Sequence, residues 1–179
     1  LEKTFFDEKT GAMELVDGKP AIRMLEFHID TASWGDTLRY YPLDDAANSI
    51  GDFNMIDGHR ALIIERDQGA GGSWADKPAK LKRIYLVDLE KVDANGVLEK
   101  LAYIDLLAIK DPNGVAPRGT ENGIFTFPFE TIEDVDLVDP TTIVVANDNN
   151  YPYSVGRQQG RADDNEFMLL DVADFLKAE

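Results

Sequence analysis

Apolar and polar residues alternate with a period of two through most of the chain, in short runs bounded by Gly, Pro, Asn and Asp. Successive side chains on a β-strand point to opposite faces, so such runs read as half-buried strands. They are clearest at residues 21–30 (AIRMLEFHID), 37–44 (TLRYYPLD), 82–89 (KRIYLVDL), 98–107 (LEKLAYIDLL) and 165–172 (NEFMLLDV), and within the segments 50–68 and 132–150. A helical spacing of apolar residues is confined to residues 172–178.

The alternation itself repeats. IGDFNMIDGHRALIIERDQ (residues 50–68) lies over IEDVDLVDPTTIVVANDNN (residues 132–150) without a gap. Ile50 falls over Ile132, Asp52 over Asp134 and Asp57 over Asp139, while Phe53, Met55 and Ile56 fall over Val135, Leu137 and Val138. Each segment predicts strand, tight turn, strand, with Asp57-Gly58 and Asp139-Pro140 at the turns. KRIYLVDL then matches NEFMLLDV as a third strand, with AIRMLEFHID as an earlier copy, and TLRYYPLD and LEKLAYIDLL follow as fourth strands. Repetition of four-stranded antiparallel units predicts an all-β fold made of β-propeller blades. A β-sandwich would leave the gapless match unexplained. The chain holds about two and a half blades, whereas closed rings have roughly 4–8. We therefore expect residues 1–179 to be the C-terminal portion of a single propeller domain, with no separate second domain. The remaining blades would come from a second chain or an N-terminal segment.

Strands alternate in direction within a blade, so the connections sort by end of the molecule. The turns from strand one to strand two are short. The connections at residues 65–81 and 147–164, and the blade-joining stretch at residues 109–131, are long and share one end. Scaffolds tend to carry function on such elaborated loops.

Composition narrows the partners. Lys+Arg 18 against Asp+Glu 34 gives a formal charge of −16 over 179 residues. That field repels nucleic acid and anionic lipid and favours multivalent cations. Without cysteine the chain has neither a disulfide frame nor a thiolate metal site. No run of the sequence has the length of a membrane-spanning helix, so no membrane insertion is expected.

Candidate chemistry gathers at the ends of second strands. Glu65, Arg66 and Asp67 close one, and Asn147, Asp148 and Asn149 close its repeat, while Glu133, Asp134 and Asp52 start inner strands at the same mouth. The oxygens of Glu65, Asp67, Glu133, Asp148, Asn147 and Asn149 are the hard donors that calcium takes, roughly 6–8 at a time. The competing reading of residues 147–150 is an Asx-rich turn that caps a strand. Arg66 and Arg157 are guanidinium partners for an anion; Arg161, beside Asp163 and Asp164, reads as a salt bridge. The acids of residues 163–167 either stay solvated or close the cation site. His28 and His59 stand apart without metal-ligand spacing and read as surface or structural residues. QGAGGSW (residues 68–74) follows a strand and leads into no helix, so a flexible loop is the better reading than a phosphate cradle.

SIGDFNMIDGHRALIIERDQG, KRIYLVDL, TFPFETIEDVDLVD and VVANDNNYPYSVGR…DDNEFMLLDV together resemble the C-terminal half of the bacterial family called esterase-like activity of phytase. The resemblance runs from Tyr41 to Val172, with the ERD, IEDV, NDNNYP and DNEF elements in order. It implies a β-propeller, exported to the periplasm or the exterior, that hydrolyses a small phosphorylated substrate with a divalent metal. The family's N-terminal blades, with an acidic EGL element, have no counterpart in these residues. By resemblance and position together, the expected catalytic residues are Glu65, Arg66 and Glu133. Arg66 and Arg157 are expected to bind substrate. Asp67, Asp148, Asn147, Asn149 and Glu133 are expected to hold calcium. The competing class is a calcium-binding propeller that serves as a scaffold without catalysis.

Overall fold

In the computed structural model, which describes residues 9–179, the alternating runs pair with their neighbours as antiparallel hairpins. The first sheet joins β1 (Leu15–Val16), β2 (Lys19–His28) and β3 (Ser33–Pro42) in that order. The middle sheet runs β4 (Ser49–Met55), β5 (Arg60–Arg66), β6 (Lys82–Val92) and β7 (Leu98–Asp105). A small sheet follows, made of β8 (Ile109–Lys110), β9 (Thr120–Glu121) and β10 (Ile124–Phe125), with β10 central. The last sheet is β11 (Ile132–Asp139), β12 (Thr142–Asn147) and β13 (Phe167–Asp171). The expected blades are therefore present, and the fold is all-β and that of part of a propeller. Two details differ. The blade-joining stretch contains the small sheet, whose two-residue strands are too short for alternation to show. The helical spacing near the C-terminus yields one 3-10 turn, Phe175–Lys177, which buries Leu176.

The middle sheet is covered on both faces, which explains the unbroken apolar runs of β5 and β6. Leu62, Ile64, Ile84 and Leu86 pack on Phe127, Phe129, Ile132, Val135, Ile143 and Val145 toward the last sheet. Ala61, Ile63, Tyr85 and Val87 pack on Ile22, Tyr41 and Leu43 toward the first. Among the described residues, the sheets at either end have no such second cover. Leu25, Phe27, Trp34 and Leu38 are exposed on the β2–β3 hairpin, and Val138, Phe167 and Leu169 on the last sheet.

The inner strands β4 and β11 lie close together. A Cβ on Gly51 would come within 2.0 Å of the Ile132 carbonyl oxygen, so only glycine permits the approach. Asn54 Nδ2 donates to the Val135 carbonyl (2.9 Å), and the Val135 amide donates to Asp52 Oδ2 (2.8 Å). Asp52, expected at the mouth of the channel, thus ties two blades together. The sequence repeat has a structural counterpart. Both inner strands shift register at matching places, between Ile50 and Phe53 and between Ile132 and Asp134. Both following turns are closed by an aspartate: Asp57 Oδ1 accepts from the amides of His59 (3.0 Å) and Arg60 (2.7 Å), and Asp139 Oδ1 from that of Thr141 (2.8 Å).

Candidate functional site

The strand period decides which side chains meet. Glu65 and Arg66 are consecutive on β5 and point to opposite faces of the middle sheet. Glu65 faces the first sheet and is fully buried. Its Oε2 accepts from Tyr41 OH (2.8 Å) and Lys100 Nζ (2.7 Å), and its Oε1 from the Asp44 amide and Asn48 Nδ2 (both 2.7 Å). Burial, and then the neighbouring Glu65 charge, push the Tyr41 hydroxyl pKa well above its ordinary value. Glu65 is thus the centre of a buried polar network and is not brought to the other candidates.

Arg66 faces the last sheet and is 8% exposed. Its Nη2 donates to Glu133 Oε1 (3.3 Å), whereas Nε and Nη1 are buried without an acceptor. Directly across on β6 is Lys82, with no exposed surface. Lys82 Nζ donates to the carbonyls of Asp67 (2.8 Å) and Glu130 (3.4 Å) and lies 3.0 Å from Asp67 Oδ1. Burial first, with the Arg66 charge adding to it against the pull of Asp67, lowers the ammonium pKa to about 8. Asp67 Oδ2 accepts from the Lys80 amide (3.0 Å). Arg66, Asp67 and Glu133 are therefore brought together, with Lys82 as a fourth member that the sequence reading missed. A lysine at a strand start reads as solvated unless the cross-strand register is known.

The opening residues of the β12–β13 connection adopt the capped turn. Asn147 Oδ1 accepts from the Glu166 amide (2.7 Å) and its Nδ2 donates to the Asp164 carbonyl (3.2 Å). Asp148 Oδ1 accepts from the Asn150 amide (2.9 Å), and Asn149 Oδ1 from that of Tyr151 (3.1 Å). Asn150, at φ 43°, donates from Nδ2 to Thr131 Oγ1. Arg157 is locked on Glu166, Nε to Oε1 (2.9 Å) and Nη2 to Oε2 (2.5 Å), and Nη1 donates to the Thr126 carbonyl (2.8 Å). Its guanidinium carbon lies 5.0 Å from the Phe129 ring centre.

A cavity of about 830 Å³ opens among the three long connections, residues 67–81, 106–131 and 148–166. Trp74, Arg118, Glu121, Arg157, Arg161 and Asp164 are among its walls. Arg118 Nη1 and Nη2 donate to Asp164 Oδ2 (3.2 Å each), and Arg161 Nη2 to the same oxygen (3.3 Å). The salt bridge expected at Arg161 is present.

Among the described residues, three metal-ligating side chains converge at one place, His59, Asp88 and Glu90 at the short-turn end, with ligand atoms within 4.8 Å of one another. His59, read as isolated in the sequence, has acidic neighbours brought by strand pairing. The oxygens expected to hold calcium do not converge in this way. The side-chain oxygens of Asn147 and Asn149 accept from backbone amides, Asp67 pairs with Lys82, and Glu133 with Arg66.

Antiparallel blades stacked face to face, with long loops and a charged cavity at one end, define a propeller-type scaffold. More narrowly, the chain belongs to the phytase-like family described as esterase-like activity of phytase, which it matches over residues 1–151. That span takes in Arg66, Asp67, Lys82 and Glu133 and ends before Arg157. No curated protein and no solved structure matches the chain.

Proposed function

We propose that this chain takes part in phosphoric ester hydrolysis at the end bearing the long connections, with Arg66 as the guanidinium that receives the phosphoryl group. The observation that carries this reading is the burial of Arg66 with Nε and Nη1 lacking acceptors. A buried donor left unpaired costs about 1–3 kcal/mol. The two nitrogens lie on opposite edges of the guanidinium, and a phosphoryl oxygen is a suitable acceptor for either. Glu133, bonded to Arg66 through one oxygen and about one-third exposed, orients the guanidinium and has a second oxygen to take a proton from attacking water. Arg66 then opposes the charge that develops on the phosphoryl oxygens.

The family resemblance implies a divalent metal, and the oxygen donors of the sequence suggest calcium. The donors at this end do not fit its usual shell of roughly 6–8 oxygens, because most are engaged by backbone amides or cations. Chelation puts its part in the reaction to the test. In the complete assembly, Arg66→Ala is expected to lower kcat/KM for an aryl phosphate monoester or for phytate by about 10²-fold. Arg66→Lys should fall between, since it keeps the charge and loses the planar guanidinium donors. An unchanged rate in Arg66→Ala would refute the assignment. Activity abolished by EDTA supports a metal-dependent hydrolase. A melting temperature lowered by EDTA with no measurable hydrolysis supports the scaffold reading, which the heavy engagement of the loop charges favours.

We also propose that further blades close on the apolar faces left at the two end sheets, where Phe167 is 75% and Leu169 67% exposed. This would complete residues 1–179 as one part of a single propeller domain. Phe167→Glu with Leu169→Glu should abolish association in light scattering. A species of 19.9 kDa that unfolds cooperatively alone would rule the idea out. Among the described residues no helix is long and apolar enough to cross a membrane. Following the resemblance, we place the protein in the periplasm or exterior.

A further inference from the structure

We propose that His59, Asp88 and Glu90 form a separate site for a borderline divalent metal ion of the zinc type, at the short-turn end of the middle sheet. Two adjacent strands build it. His59 precedes β5 in the turn from β4, and Asp88 and Glu90 lie on β6. The register pairs Arg60 with Asp88, and the Leu89 amide donates to the His59 carbonyl (2.8 Å), so the two backbones hold the three side chains on one patch.

The donors are preorganised. The Asp57 carboxylate fixes the turn by accepting from the amides of His59 and Arg60 and from Arg60 Nε (2.7 Å). Arg60 is drawn away further, since its Nη1 donates to the Leu176 carbonyl (2.6 Å). Asp88 is 7% exposed, and its Oδ1 accepts from the Glu90 amide (2.9 Å), which sets the Glu90 backbone. His59 Nδ1 is buried 3.0 Å from Asp88 Oδ1. With the ring proton on Nε2, the Nδ1 lone pair would face the two carboxylates, where a metal could take it. The other ring nitrogen, Nε2, lies 3.9 Å from Asp57 Oδ1.

The chemistry selects the ion class. One imidazole nitrogen with two carboxylates suits zinc and its neighbours, whereas calcium takes oxygen ligands. A plain His–Asp ion pair would account for Asp88 and leaves Glu90 unexplained. Three protein ligands leave coordination positions open to water.

Zinc chloride titrated into the full chain at pH 7.5 should give one saturable site by calorimetry. Substituting cobalt should give visible d–d absorption. His59→Ala, at a residue whose side chain is 44% exposed, should abolish both signals. Glu90→Gln should weaken affinity at least about tenfold, worth 1.4 kcal/mol. Arg66→Ala, at the opposite end, should leave binding unchanged whether or not the hydrolytic role holds. Absence of saturable binding, or binding that survives His59→Ala, overturns the proposal.

Discussion

Replacing Glu65 with alanine is expected to remove about 3–5 kcal/mol of stability, the usual cost of taking one partner from a buried charge pair. The carboxylate holds four donors, and none has another acceptor close at hand except Lys100. The Tyr41 hydroxyl and Asn48 amide would be left facing an apolar gap. Lys100 would retain Asp44 Oδ1 at 2.6 Å and the faces of Tyr41 and Tyr85, 4.7 and 4.0 Å from the ring centres. A single domain has about 5–15 kcal/mol in all, so a third or more is at stake. Tyr41 belongs to β3, and Asp44 and Asn48 to the connection into β4. The loss should therefore loosen the first sheet from the middle one before the rest unfolds. Glu65→Gln tests the charge separately, since it keeps one acceptor and turns an amide donor toward Lys100 or Asn48. Urea denaturation measures both. A loss below 1 kcal/mol in the alanine variant would mean that Glu65 is not the keystone of this interface.

The same residue shows what was legible in the sequence. The blade pattern was, because a strand buried on both faces must be apolar throughout and the repeat preserved its turn aspartates, Asp57 and Asp139. The end of the molecule bearing the long connections also followed from strand direction alone. Grouping Glu65 with Arg66 set the strand period aside, for consecutive residues on a strand do not share a face. Arg66, two-strand neighbour of Lys82, meets Glu133 only because β4 and β11 approach at Gly51, and that approach depends on three-dimensional stacking. His59 lies far from Asp88 in sequence, and only the β5–β6 register brings them together. The Asn147 turn was visible as an alternative, since Asx residues cap their own backbone. What decided for it was the pairing of Asn147 with the backbone of Glu166.

Between pH 8 and 10, the protein is expected to become more stable as the solution becomes more alkaline, by up to about 3 kcal/mol from Lys82 alone. An ordinary lysine releases its proton at 10.5, while burial holds that of folded Lys82 at about 8. Below pH 8 both folded and unfolded chains carry the proton, and the folded chain bears the full penalty of a buried ammonium. Between the two values the unfolded chain holds a proton that the folded chain has lost, so raising the pH favours folding. Tyr41 and Tyr85 act in the opposite sense. Burial raises both hydroxyls above their ordinary value of 10.0, so the folded chain keeps protons that the unfolded chain releases, and stability falls beyond that point. The curve should therefore peak near pH 10. Lys82→Met should remove the rise and leave the alkaline fall. Guanidinium unfolding at pH 7.5, 9 and 10 distinguishes them, and an equal rise in the methionine variant would exclude Lys82 as its source. The placement has a consequence for Arg66. A full ammonium across the strand repels the guanidinium and draws Asp67 to itself, so loss of the Lys82 proton leaves Arg66 as the sole cation of the four-residue group. The buried lysine thus sets the local charge that an incoming anion meets.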